Sequence, residues 1–186
     1  MVVLAGETVA EVDVITLKSI LVGVAALCLP FSCATAEPIK FDERAFLAEF
    51  ELAVANGTDG EVFKSLDHEG KVFVMEFYFN GCPACNQNAP KFEQLYEAYK
   101  SSSKVVFLNL GVDCDEDQYT AWIRKHKPQF KVLVDCGDTV TDGLRVTRFP
   151  TVVFVGKDRI EKMRKVGVWS SGDMATFKSF LDKEVQ

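Results

Sequence analysis

The chain of 186 residues is 48% hydrophobic and 26% charged, with a formal net charge of −6. Those values describe a soluble globular protein and exclude a disordered one. An acidic balance without a Lys/Arg cluster gives no footing for a nucleic-acid partner, and the sequence carries no internal repeat or low-complexity tract.

The first 36 residues read as a leader and not as part of the fold. Lys18 precedes the apolar run Ile20 to Leu29, Pro30 closes it, and Ala34 and Ala36 stand at the −3 and −1 positions of a small-residue cleavage site before Glu37. This is the plan of a secretory signal peptide. The run is well short of the ~20 residues that span a bilayer, and Pro30-Phe31-Ser32 before Cys33 does not fit a lipoprotein signal. One feature disagrees: the first 17 residues carry Glu7, Glu11 and Asp13 and no basic residue. A translation start near Val14 or Leu17 would leave an ordinary short signal and point to a bacterial source. Export is therefore expected, to the periplasm in a bacterium and otherwise out of the cell. Cleavage after Ala36 leaves about 150 residues, a usual length for one domain. It also removes Cys28 and Cys33, leaving Cys82, Cys85, Cys114 and Cys136, an even set compatible with pairing in an oxidising compartment.

In the mature chain, residues 37–70 are expected to form an N-terminal helix and a loop. Asp42 is a candidate cap, and Phe46, Leu47, Phe50, Leu52 and Val54 recur mostly along one side of a helix over 42–55. Asn56-Gly57 ends it, and residues 57–70 are loop-like, pinned to the body by Phe63 and Leu66. The core is expected over 71–186. It opens with "KVFVMEFYF", an apolar run with one acid in it, which predicts a strand buried on both faces. A helix follows from Ala84 to Tyr99, then the strand "KVVFLNLGVD", a helix over "EDQYTAWIRKHK" ended by Pro128, and the strand "FKVLVD". "TDGLRV" predicts a helical turn, "RFPTVVFVG" a strand, "DRIEKMRKVGV" its hairpin partner, and "SGDMATFKSFLDKEV" a closing helix capped by Ser171. Alternating strands and helices with a terminal hairpin give an α/β sheet domain.

Within that order lies Cys82-Pro83-Ala84-Cys85, opening a helix directly after the buried strand, with Pro90 five residues past the second cysteine. Together with "RFPT" at Pro150 before an apolar strand, and Gly167 after the last hairpin, this resembles the thioredoxin-fold thiol:disulfide oxidoreductases over roughly residues 71–185. The fold so implied is a central mixed sheet flanked by helices. Asp113 to Pro150 leaves room for a helix–strand insertion before the cis-Pro loop, as in exported TlpA-like reductases. The chain departs from the family at Gly81, where thioredoxins usually have Trp, which changes the docking surface but not the dithiol chemistry.

A thiol at a helix N-terminus faces free backbone N–H groups and the positive end of the helix dipole, which favours its thiolate, the attacking species. Cys82 is thus the expected nucleophile, and Cys85, one turn further in, the resolving thiol. Glu76 interrupts the apolar strand six residues before Cys82, where thioredoxins carry a buried acid. Burial would raise its pKa and suit it to exchange a proton with Cys85; the alternative is a strand glutamate that reaches solvent at a sheet edge. Pro150 would lie opposite the dithiol in a cis peptide. The resemblance implies that its loop offers backbone groups to the substrate and keeps metal from the thiols.

Cys114 and Cys136 each follow a predicted strand. A strand–helix–strand crossover leaves such strands parallel, with both ends on one sheet edge, so a structural Cys114–Cys136 disulfide is favoured over free thiols, exchange with the dithiol, or a four-cysteine zinc site. His68 and His126 fall in polar stretches and are expected to be solvated, and Trp122 and Trp169 to pack against the core or line the surface. A peroxidatic-cysteine motif is absent from the sequence. No cofactor or metal is expected. The expected function is an exported thiol–disulfide oxidoreductase, a monomer that reduces disulfides in partner proteins. It would be recharged by an electron donor, for which a membrane-embedded thiol carrier is one candidate. An oxidase or isomerase, or a peptide-binding module without turnover, are the alternatives.

Overall fold

The apolar run that the sequence marks as a buried strand becomes β3 (Val72–Tyr78), and all seven of its residues are buried. The structure is a computed structural model that describes residues 44–185, all within one unit, 41–186. The expected leader, residues 1–36, lies outside the described residues. Among the described residues no helix is long and apolar enough to cross a membrane.

β3 is the middle of a five-stranded sheet ordered β5-β4-β3-β6-β7, with β4 Val105–Gly111, β5 Lys131–Val134, β6 Thr151–Val155 and β7 Glu161–Val166. β4 runs parallel to β3 and β5 parallel to β4, whereas β6 is antiparallel to both β3 and β7. Parallel neighbours need crossovers. They are α1 (Pro83–Tyr99), between β3 and β4, and α2 (Glu116–His126), between β4 and β5. The mixed sheet and the helix–strand insertion before the loop at Pro150 match the expected fold, and the inserted β5 forms one edge.

The two sheet faces are covered differently. On one, Phe92, Leu95 and Tyr99 of α1 and Phe177 and Leu181 of α4 (Ser171–Glu184) pack on Val72, Val74, Phe107, Val152 and Phe154. The other face, built on Phe73, Met75, Phe77, Leu108 and Leu110, meets Val140 of the short α3 (Thr139–Gly143), Leu144, and the N-terminal segment.

That segment is not helical. Residues 45–50 are extended, β1 spans Glu51–Ala53 and β2 Val62–Lys64, and the two pair antiparallel. Ala45, Leu47, Phe50 and Val54 are buried while Phe46 is exposed, close to the alternation of an extended chain. The apolar spacing suits either reading, and tertiary hydrogen bonds decide it. Leu47 N–H donates to Arg159 O, Glu161 N–H to Ala45 O, Ser65 N–H to Phe50 O and Ala55 N–H to Val132 O, all of which a helix would have used internally. Phe63 is buried as expected, but Leu66 is exposed, on a 3₁₀ turn over Ser65–His68 that leads away from the core. The cap of α4 also differs by one residue. Ser170, not Ser171, accepts from Asp173 N–H, and the Asp173 carboxylate accepts from Ser170 N–H. Only Ser170 has an acid three residues on to close this reciprocal box.

Arg159 ties the extended segment to the sheet: its Nε donates to Leu47 O at 2.8 Å and its Nη2 to Ala48 O at 2.6 Å. Arg159→Ala is expected to lower stability by about 1.5 kcal/mol, the low end for charge-assisted hydrogen bonds, because one acceptor is half-buried and the other exposed. Urea unfolding measures that loss, and hydrogen exchange should show lost protection at the Leu47 amide first.

Candidate active site

Cys82 is the N-cap of α1 and Pro83 its first residue, where the absent N–H is no loss. Gly81 turns the chain into the helix at φ +77°, a conformation side chains disfavour. Cys82 and Cys85 are bonded to each other with Cα atoms 5.2 Å apart. The Cys85 backbone N–H donates to Cys82 Sγ at 3.0 Å, and Asn86 returns both its N–H and its side-chain amide to Cys82 O. Cys82 is the more accessible residue of the two by a narrow margin, 3% exposed against 0% for Cys85.

Glu76 is wholly buried in β3, so it does not reach solvent at an edge. Its register partner on β4 is Asn109, whose Nδ2 donates to Glu76 Oε2 at 3.1 Å and whose Oδ1 accepts from Trp122 Nε1 at 3.4 Å. Glu76 Oε1 has no partner. Burial pushes the carboxyl up to about 8, against the opposing pull of the Asn109 hydrogen bond. Two strand positions further, Tyr78 packs in one cluster with Cys82, Cys85, Trp122 and Val132. Its ring stacks on Trp122 at 3.9 Å.

The Phe149–Pro150 peptide is cis. Phe149 packs against the cluster that holds both cysteines and meets Phe79 edge-on at 5.8 Å. Pro150 O accepts from Gly167 N–H, and Asn88, buried in α1, clamps the next stretch by donating to Gly167 O and accepting from Trp169 N–H. The sheet thus brings Cys82, Cys85 and the Pro150 loop together, with Glu76 deeper in the same sheet.

Cys114 and Cys136 lie apart from this group, in the turns after β4 and β5. They are bonded, with Cα atoms 4.8 Å apart, and both are exposed. The histidines are less solvated than the sequence suggests. His68 stacks on Phe63 at 4.7 Å, and His126 lies against Trp122 and bonds Asn86 Oδ1 at 2.8 Å. Desolvation, with a lysine neighbour in each case, holds both below the usual imidazole range. Among the described residues, no group of three or more His, Cys, Asp or Glu is placed to hold a metal ion.

Sequence reasoning passed over Asn109, Trp122 as a hydrogen-bond donor, Asn88 and Tyr78. Asn109 carried a readable signal, since it interrupts "VVFLNLG" just as Glu76 interrupts its own strand. Trp122 and Asn88 carried none, because their partners lie 13 and about 80 residues away.

Comparison with known proteins identifies the family and the fold. The model of the AhpC/TSA family matches residues 45–163. The thiol-disulfide oxidoreductase ResA of Halalkalibacterium halodurans is 25% identical over 122 residues, 63% of this chain and 68% of that protein. The sporulation thiol-disulfide oxidoreductase A of Bacillus subtilis is 27% identical over 104 residues, 54% of this chain and 62% of that protein. Among solved structures, a secreted Mycobacterium tuberculosis disulfide oxidoreductase homologous to E. coli DsbE superposes with a TM-score of 0.59 at 22% identity. It covers 71% of this chain and 95% of that one, a likeness that shows the fold.

Because Glu76 keeps its proton in the fold up to a pH of about 8 but loses it near 4.5 when unfolded, the unfolded state binds fewer protons between those values. Stability contributed below 4.5 is therefore lost as pH rises through that window, at up to about 1.4 kcal/mol per pH unit. Glu76→Gln should remove this slope. Urea midpoints of the disulfide form at pH 5 and pH 8 measure it, and a slope unchanged by the substitution would contradict the assignment.

Proposed function

The chain belongs to the AhpC/TSA family, and from that membership we propose that it is a thiol–disulfide oxidoreductase whose Cys82/Cys85 dithiol reduces disulfides in partner proteins. The observation that carries the reading is a cysteine pair at the N-terminus of a 17-residue helix, with Cys82 Sγ already accepting a backbone N–H. Its relatives by sequence are named thiol–disulfide oxidoreductases.

In this reading the Cys82 thiolate, favoured by the Cys85 N–H and the helix dipole, attacks a substrate disulfide. A Cys82–substrate bond forms and the substrate S–S bond breaks, releasing the first substrate sulfur as a thiolate. Cys85 then attacks Cys82 Sγ and the mixed disulfide breaks. The second substrate sulfur leaves, and the Cys85 proton passes to Glu76 in its ionised form, which the carboxyl reaches only by first releasing the proton that burial makes it hold up to a pH of about 8. The substrate gains two electrons and takes up two protons, and the protein is left with the Cys82–Cys85 disulfide seen here. A carboxyl held near neutral pH can both accept and release that proton. Phe149 and cis-Pro150 shape the surface a substrate chain meets beside Cys82. Return to the dithiol requires a donor of two electrons, and a membrane-embedded thiol carrier is the class expected for an exported reductase.

Export is part of the same proposal. Its supports are the charged, apolar and small-residue pattern of residues 18–36, and an exposed disulfide, Cys114–Cys136, of the kind that persists in oxidising compartments. That second bridge is read as structural, closing the loop that holds α2. The secreted character stated for the M. tuberculosis structure agrees.

Equilibration in dithiothreitol and glutathione buffers, followed by alkylation, tests the direction of electron flow. A Cys82/Cys85 potential near about −270 mV is expected for a reductase, whereas one near about −120 mV means an oxidase. The Cys114–Cys136 bridge should stay closed where the first pair opens. Cys85→Ser should accumulate a mixed disulfide with a disulfide substrate and Cys82→Ser none. Absence of a reversible couple leaves a binding module. N-terminal sequencing of the exported protein should begin at Glu37, and a start at Met1 would refute the leader.

A further inference from the structure

If Glu76 takes the Cys85 proton, as the reading above has it, a carboxyl with no exposed surface must first give up to water the proton that burial makes it hold up to a pH of about 8. The pairing of β3 with β4 lays out a path. Glu76 pairs with Asn109 and Tyr78 with Gly111. One rung further, the Asp113 carboxylate accepts from Asn80 N–H at 2.7 Å and is partly exposed. Residues two apart on a strand share a face, so Glu76 and Tyr78 follow one another along the ladder from its sealed centre towards the end where Asp113 meets solvent.

Tyr78 has no packing reason for its hydroxyl. Its ring is stacked between β4 and Trp122, a role phenylalanine would fill, and the hydroxyl is buried without a hydrogen-bond partner, which is destabilising. It sits over Gly111, where a Cβ atom would come within 3.0 Å of it. The same Cβ atom would come within 3.1 Å of the ring carbon Cζ, so the glycine makes room for the hydroxyl end of the ring as a whole. Glu76 Oε1, two positions back on the same strand face, is likewise buried without a partner. The titratable groups around Tyr78 are Glu76 on its own strand, Asp113 beyond β4, Cys82 and Cys85 on α1, and His126 behind Trp122 on α2. Burial first, and then the Asp113 and Glu76 charges, raise the phenol pKa, so it acts by passing a proton through and not by ionising.

We propose that Tyr78 is a positioning residue for proton return, acting through Glu76. Glu76 gives its proton to Tyr78 Oη while the Tyr78 hydroxyl proton passes to the Asp113 carboxylate and from there to water. No electron moves in this step, and Tyr78 is regenerated once its hydroxyl rotates back. Because neither orphan atom bonds the other in the disulfide state, the hand-over takes a side-chain rotation or one bridging water.

The test is single-turnover reduction of insulin by the reduced protein from pH 5 to pH 9, in H₂O and D₂O. It compares the parent with Tyr78→Phe, Asp113→Asn, the double variant and Glu76→Gln. Tyr78→Phe and Asp113→Asn are each expected to slow substrate thiol release about tenfold, a modest share of what positioned proton transfer supplies. Both should shift the pH profile towards that of Glu76→Gln, with the double variant no slower and the Cys82/Cys85 potential unchanged. A merely structural tyrosine would move the melting temperature and leave the profile in place. Profiles of both single variants superimposed on the parent overturn the relay. Should Tyr78→Phe not fold, Asp113→Asn decides alone, since its side-chain carbonyl still accepts from Asn80 N–H. A parent that reduces insulin with a Glu76→Gln profile identical to its own overturns the acceptor role, and the relay with it. A parent that reduces nothing overturns the functional reading itself.

Discussion

A carboxyl group buried in the central strand of a sheet is the constraint around which this molecule is arranged. An isolated ionised carboxylate there would be prohibitively unfavourable, so Glu76 stays protonated to higher pH and takes a hydrogen bond from Asn109. Asn109 is oriented in turn by Trp122, on the helix inserted between β4 and β5. The insertion is therefore more than extra length. It supplies the side chain that bonds Asn109 and stacks on Tyr78, and the Cys114–Cys136 bridge joins its two flanks, before α2 and after β5.

Above that carboxyl, the geometry of the dithiol follows from where β3 ends and α1 begins. A buried parallel strand must leave the sheet and return through a helix, and the helix N-terminus presents unpaired N–H groups at that point. Cys82 stands at the junction as its cap. The antiparallel β6 brings Phe149 and cis-Pro150 to the same sheet edge from the other side. Asn88 and Gly167 then hold α1 against the chain that follows β7. Thiol, loop and carboxyl thus come from separate stretches of sequence, and the register of three strands places them.

Legibility from sequence varied with the range of the interactions concerned. β3 was readable because a strand covered on both faces must be apolar throughout, and Glu76 stood out against that background. The cysteine pair was readable because its spacing is one helical turn. By contrast, the segment from Ala45 to Val54 satisfies a helical and an extended pattern almost equally well. Its backbone groups chose the partners around Arg159, Ser65 and Val132, which no local window contains. His126 was misjudged for the same reason: its polar neighbours in sequence are not its neighbours in space, which are Trp122 and Asn86.

By itself, then, the sequence determined the order of strands and helices from residue 71 onward, the place of the dithiol at a helix start, and the presence of an acid in a buried strand. Each of these is written in residue type and spacing within a few turns. The tertiary structure alone decided that the N-terminal segment is extended, and that Asn109 and Trp122 hold Glu76. It also decided that the Tyr78 hydroxyl lies unpartnered over Gly111. Those outcomes depend on which residue faces which across neighbouring strands, and register is settled by the packing of the whole sheet.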